Sequence, residues 1–215
     1  MKNIELNKRI ITSLFLLIIG YLMFSYTYIM IISLIVISLI SWIEFYGLIS
    51  KIFTKNELKI NFFKSIIKIL SLIYLIIFSL LIFNETKYNN YDLHIFYLIS
   101  ICILSDIGGL VIGKTVKGKK LTKISPNKTI SGSLGSFFFS ILLVPIFYYF
   151  SPNEFPITLN LIVLTIIVSL TCQLGDLFIS YLKRKAKVKN TGDLLPGHGG
   201  FLDRIDGILF AVPVG

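Results

Sequence analysis

The sequence predicts an all-α integral membrane protein, a polytopic bundle of about six to seven transmembrane helices with its N-terminus in the cytoplasm. Three observations carry this. First, 55% of the 215 residues are hydrophobic and only 15% are charged, with a mean hydropathy of +0.83, a balance foreign to a soluble domain. Second, apolar runs such as Ile66–Phe83 and Ile157–Leu174 approach the ~20 residues that cross a bilayer as helix. The stretch from Ile10 to Trp42 carries no charge and is too long for one span. Third, the charge alternates from loop to loop. A β-barrel would instead show short strands of alternating polarity.

The first helix is expected at Ile10–Phe24. The basic start "MKNIELNKR" leads into an apolar run with no small-residue cleavage site, so this span reads as retained and not as a signal peptide. "FSYTY", Phe24 to Tyr28, is a turn into the second helix, Tyr28–Ile49. Further helices are expected at Ile66–Phe83, Leu93–Gly113, Gly132–Phe150 and Pro156–Ser180. A seventh apolar piece, Ile205 to Val214, is too short to span if the chain ends at Gly215. Cys102 and Cys172 fall inside spans without metal-like spacing and read as small apolar packers.

The net charge of +10 would point a soluble protein toward nucleic acid, but its distribution excludes that partner here. Lys2, Lys8 and Arg9 precede span one. Lys51, Lys55, Lys59, Lys64 and Lys68 surround the connection from span two to span three. Lys114 to Lys128 lie between spans four and five, and Lys183 to Lys189 with Arg204 follow span six. All but Lys87 of the 21 Lys and Arg residues therefore sit on alternate loops. The positive-inside rule places the N-terminus and these loops in the cytoplasm, at the inner membrane of the cell. The lysines after span two need do no more than set topology and meet anionic lipid headgroups.

The chain reads as one continuous membrane domain with a division of labour. Residues 1–92 hold N-terminal transmembrane helices and a basic cytoplasmic loop; residues 93–215 form the catalytic transmembrane region with a site on the cytoplasmic face. In the first part Glu44, in "SWIEFYG", is the exception, and beside Trp42 and Tyr46 it reads as a marker of the interfacial end of span two.

Four stretches of the second part carry chemistry. In "LSDIGGLVIGK", Asp106 lies inside an apolar span, where a carboxylate costs a few kcal/mol and needs a partner, a cavity or a role. "KISPNKT", Lys123 to Thr129, precedes a helix rich in small residues, an arrangement that suits either phosphate or a plain helix cap. In "QLGDLFISYLKRK", Asp176, Ser180 and Lys183 recur at helical spacing on one face. In "LPGHGGFLDRID", Leu195 to Asp206, Asp203 and Asp206 are three apart at a helix start, behind His198 and two glycines. Carboxylates to hold Mg²⁺ and cations around a polyphosphate are what phosphoryl or nucleotidyl transfer requires. A substrate reaching such a site through the bilayer would be a lipid.

These residues resemble the phosphatidate cytidylyltransferases (CDP-diacylglycerol synthases). That family's pattern runs S-x-[apolar]-K-R, four residues, K-D-x-small, then P-x-H-G-G-x-x-D-R-x-D. Ser180, Lys183, Arg184, Lys189, Gly192, Pro196, His198, Gly199, Gly200, Asp203, Arg204 and Asp206 stand in that register. "SD-x-G", "SPNKT" and "Q-x-GD" upstream are similar to further family motifs, so the likeness covers about Leu104 to Val214. "RIITSL" and "WIEF" are suggestive pieces nearer the start.

The resemblance implies transfer of CMP from CTP to phosphatidic acid, giving CDP-diacylglycerol and pyrophosphate. It implies that Asp176, Asp203 and Asp206 hold Mg²⁺, or Mn²⁺ in its place. Asp176, Asp203, Asp206, His198 and Lys183 would form the catalytic set. Ser125, Lys128, Thr129, Ser180, Arg184, Lys189, Gly199, Gly200, Arg204 and Asp106 would line the substrate. His198 is open between general acid–base work and orienting its loop. The partners implied are CTP, phosphatidic acid and membrane lipids.

Three departures stand out. Asn190 replaces the pattern's Asp, with Asp193 close by; "TISG" replaces the usual "T-W-E-G"; and the chain is short. A homodimer or a missing C-terminus would account for a final helix that stops half-way. Two other readings remain. A CTP-dependent kinase of a polyprenol- or phytol-type lipid alcohol shares the lipid-plus-CTP logic. A cation or proton transporter would use Asp106 and Asp176 as intramembrane sites. The D-G-x-x-A-R core of CDP-alcohol phosphotransferases is absent.

Overall fold

A computed structural model describes residues 2–54, 58–87, 92–195 and 199–215. Among the described residues every regular element is helical. These are α1 (Lys2–Ser25), α2 (Thr27–Ile52), α3 (Leu58–Lys87), α4 (Asp92–Thr115), α5 (Ile130–Ile141), α6 (Leu143–Phe150), α7 (Leu159–Lys185) and α8 (Leu202–Ala211), followed by a 3₁₀ turn at Val212–Val214. Five segments of the described residues are long and apolar enough to cross a membrane: Thr27–Ile52, Leu58–Lys87, Leu93–Thr115, Ile130–Phe150 and Leu159–Lys185. Ile11–Ser25 is a shorter apolar stretch. The protein is thus an all-α polytopic membrane protein.

The helices run past their apolar cores. α3 starts at Leu58 and takes in Lys59, Lys64 and Lys68, because lysine is a good helix former whose stem packs while its ammonium reaches polar surroundings. Between α1 and α2 a single extended residue, Tyr26, turns the chain. The stretch expected as one helix over Gly132–Phe150 is two, α5 and α6, joined at Leu142. Pro145 has no N–H for the carbonyl of Ile141, so the ladder breaks there.

The chain forms two compact units, residues 1–92 with 182–205, and residues 93–181 with 206–215. In the first, α1 packs on α2 and α2 on α3, burying Met30, Leu34 and Leu48 with Leu75, Phe78 and Ile82. Apolar surface does not drive helices together in lipid, so polar contacts and close packing matter. Ser38 and Ser79 share a 2.7 Å hydrogen bond. The Trp42 indole donates to the Lys68 carbonyl at 3.1 Å, and the Lys68 ammonium stands 5.0 Å from the Trp42 ring and 4.7 Å from that of Tyr46. Lys87 donates to the carbonyl of Phe24 at the end of α1, where a cation complements the helix terminus.

In the second unit, small residues bring α4 and α5 together. A Cβ on Gly108 would lie 2.5 Å from the Gly135 carbonyl, and one on Gly132 2.8 Å from that of Gly109. Ser136 donates to the carbonyl of Ser105 at 2.6 Å, and Ser105 shares a hydrogen bond with Ser169 of α7. Tyr97, Phe147 and Phe155 form an aromatic knot with ring centroids 4.8–5.1 Å apart. α8 lies against α7 where side chains are missing: a Cβ on Gly175 would meet the Asp206 carbonyl at 2.8 Å, and one on Gly207 the Cys172 sulfur at 2.5 Å.

Candidate active site

In the first unit the polar residues gather where α7 ends and α8 begins. Lys183, in the last turn of α7, donates to Asp203 Oδ1 at 2.6 Å. The other oxygen, Oδ2, accepts the backbone N–H of Thr191 at 2.9 Å and that of Gly200 at 3.1 Å. The Thr191 hydroxyl lies 3.1 Å from the same oxygen. Asp203 is in the first turn of α8, where the helix dipole favours a carboxylate.

Behind this pair lies a second carboxylate. Glu44 of α2 is buried, accepting the N–H groups of Phe201 at 2.9 Å and Leu202 at 2.8 Å and the Thr191 hydroxyl at 2.8 Å. Glycines make room for it: a Cβ on Gly192 would stand 2.6 Å from Glu44 Oε1, and one on Gly200 2.6 Å from Oε2. Gly199 has φ +84°, a left-handed conformation that glycine adopts without cost, and its backbone pairs with Leu195 in both directions. Asn190 packs against it, 2.9 Å from the place of a Cβ. His198 and Pro196 lie outside the described residues. Arg184, Lys189 and Arg204 are exposed.

In the second unit Asp176 forms an ion pair with Lys128 and accepts the Ser180 hydroxyl at 3.2 Å, one turn along α7. Both members of the pair are partly exposed. Lys128 is delivered by a tight loop: Leu121 N–H donates to the Lys128 carbonyl, Lys128 N–H to that of Ser125, and Ile130 N–H to that of Lys119. Thr129 caps α5 by accepting the Gly132 N–H at 3.0 Å. Beyond the cap, Ser133 donates to Gln173 Oε1 at 2.6 Å, while the buried Gln173 Nε2 has no hydrogen-bond partner among the described residues. Asp206 is buried, its Oδ1 accepting the Gly207 N–H at 2.9 Å. Asp106 is exposed on α4.

The structure therefore joins Lys183 with Asp203, and Lys128 with Asp176 and Ser180, as two ammonium–carboxylate pairs, one in each unit. Among the described residues no group of three or more His, Cys, Asp or Glu side chains is close enough to hold a metal ion. The donor chemistry nevertheless suits Mg²⁺, a hard cation usually bound through one or two carboxylates with phosphate oxygens completing its shell. Asp176 and Asp203 each already face one ammonium, that of Lys128 and of Lys183. Thr191 is not singled out by motif, and Glu44, within "WIEF", reads only as a marker of the interfacial end of span two. Ser41, Glu44 and Leu48 are all buried on α2 at spacings of three and four, so the helical period alone puts Glu44 on the inward face.

A profile of the cytidylyltransferase family matches residues 1–215. The chain belongs to that family. This cytidylyltransferase-family chain is 40% identical over 147 residues to the phosphatidate cytidylyltransferase of Rickettsia bellii, covering 63% of this chain and 61% of that protein. It is 40% identical over 121 residues to the Bacillus subtilis phosphatidate cytidylyltransferase, over 56% of this chain and 45% of the relative. It is 41% identical over 133 residues to that of Staphylococcus aureus strain COL, over 61% and 50%. The chain thus spans less than two thirds of the curated relatives it matches.

Proposed function

We propose that this cytidylyltransferase-family chain transfers CMP from CTP to phosphatidic acid, producing CDP-diacylglycerol and pyrophosphate. The observation that carries the reading is the Lys183–Asp203 pair, set beside a glycine-lined loop in a chain matched to the family from end to end. A phosphate oxygen of the lipid forms a bond to the α-phosphorus of CTP as the bond from that phosphorus to the β-phosphate bridge oxygen breaks. Pyrophosphate leaves with the electron pair, and no covalent enzyme intermediate is needed.

Each lysine has a phosphate to hold in this reaction. Lys183 and Lys128 exchange their carboxylate contacts for phosphate oxygens, while Arg184 and Arg204 offer planar guanidinium donors. Asp176, Asp203 and Asp206 are the carboxylates that would hold Mg²⁺. When bound, Mg²⁺ supplies charge neutralisation on the triphosphate and makes the α-phosphorus more electrophilic. The basic loops face the cytoplasm, where CTP is dissolved, and phosphatidic acid arrives laterally in the bilayer.

The test is turnover in detergent with CTP labelled at the α- or γ-phosphate, with phosphatidic acid, and with Mg²⁺ or EDTA. Label from the α-phosphate enters the lipid, pyrophosphate is released, and EDTA abolishes both. Transfer of γ-label to a lipid alcohol would instead make the chain a lipid kinase and overturn the proposal.

A further inference from the structure

The first unit contains a buried carboxylate that the reaction above does not use. Glu44 is only 9% exposed. A carboxylate removed from solvent costs several kcal/mol unless donors replace the water. Among the described residues its donors are three, and all come from the stretch that carries Asp203: Thr191 Oγ1 and the N–H groups of Phe201 and Leu202. Helix α8 starts at Leu202, so two of these belong to the four N–H groups that a helix start leaves without an intrahelical partner. The acceptor for both comes from α2, 157 residues from Phe201 in sequence.

The same carboxylate stands one hydroxyl from Asp203. Thr191 Oγ1 is 2.8 Å from Glu44 Oε2 and 3.1 Å from Asp203 Oδ2. It has a single proton to donate, and the shorter contact directs it to Glu44. The Thr191 N–H is thereby aimed at Asp203, whose Oδ1 holds Lys183. The lack of side chains at Gly192 and Gly200 lets Glu44 approach. Backbone donors fix direction as well as distance, so moving Glu44 moves the first turn of α8.

We propose that Glu44 is a positioning residue: it holds Thr191 and the first turn of α8 so that Asp203 and Lys183 keep their geometry. This rests on the transfer reaction proposed above as the use to which that geometry is put. Glu44→Gln is nearly isosteric, but its amide turns a donor toward a backbone donor, so at least one N–H loses its acceptor. Thr191→Val removes only the shared hydroxyl, and Thr191→Ser keeps it.

The experiment measures turnover of full-length variants in detergent together with amide hydrogen exchange by mass spectrometry. Glu44→Gln stays monodisperse, exchanges faster across 190–203 with α4–α6 unchanged, and loses about 10–100-fold in kcat, as partners of catalytic ligands typically do. Thr191→Val shows the same pattern, Thr191→Ser restores the rate, and the Glu44→Gln/Thr191→Val pair loses no more than the worse single variant. An unchanged kcat in Glu44→Gln, losses that multiply in the double variant, or exchange accelerated in every helix would each overturn the proposal. If the wild-type protein transfers no CMP, the function proposed above fails. The exchange pattern at 190–203 then still decides whether Glu44 holds this segment.

Discussion

Alanine at position 200 adds one methyl group at the most crowded point of the candidate site. The new Cβ would collide with the Thr191 hydroxyl and stand 2.6 Å from both Glu44 Oε2 and the Gly192 nitrogen. Two of these three neighbours are held by hydrogen bonds and one is backbone, so none is the free end of a flexible chain. Displacing the threonine hydroxyl costs a hydrogen bond to a charged group, about 1.5–3 kcal/mol. Overpacking adds about 1–3 kcal/mol. The expected destabilisation is therefore about 3–5 kcal/mol, a large share of the ~5–15 kcal/mol by which folded domains are stable. Gly47→Ala is the matched control, because a Cβ there meets nothing within 4 Å. In the interior of α2 it should stabilise by about 0.5–1 kcal/mol through chain entropy. Thermal unfolding in detergent, followed by circular dichroism, should show Tm lowered by about 10 °C for Gly200→Ala and unchanged or raised for Gly47→Ala. If Gly200→Ala melts with the wild type, the close packing of Thr191 and Glu44 around that glycine is not the constraint described here.

Asp176→Ala or Asp203→Ala should abolish CMP transfer while the protein still inserts and purifies as a monodisperse species; wild-type turnover by either would remove the case for a carboxylate-held cation. Gly175→Ala should push α8 off α7, since its Cβ would meet the Asp206 carbonyl and the Phe210 ring at 2.8 Å. A loss of about 1–3 kcal/mol in denaturant titration is expected, and an unchanged midpoint would count against the contact. Thr129→Ala should cost about 1 kcal/mol by removing the cap of α5, with Thr129→Ser close to the parent in the same titration.

Much of the fold was legible because its causes are local. The long apolar runs announced the spans, and the single proline inside the fifth apolar run explains why it breaks in two. The ranges were short at the ends, since apolar character stops before the helix does: Lys59 and Lys64 lie within α3, ahead of the expected start at Ile66. At the site, the spacing of Asp176 and Ser180 carried over directly to a hydrogen bond one turn long on α7. The pairing of Lys183 with Asp203, 20 residues apart, could not be read from helical period, because it depends on the path of the loop between them.

Glu44 shows where the division falls. Its burial was implicit in α2's own periodicity, yet beside Trp42 and Tyr46 it looked like an interfacial residue. By itself the sequence determined that the chain crosses the membrane as helices and that its carboxylates and ammonium groups collect near the ends of α7 and α8. Span length and charge cost in lipid act on each segment separately. Tertiary structure alone decided that the first N–H groups of α8, at Phe201 and Leu202, find their acceptor in Glu44, and that glycines at 192 and 200 are what let it approach. A backbone donor at a helix start needs only an oxygen at hydrogen-bond distance, and the packing of distant segments determines which residue supplies it.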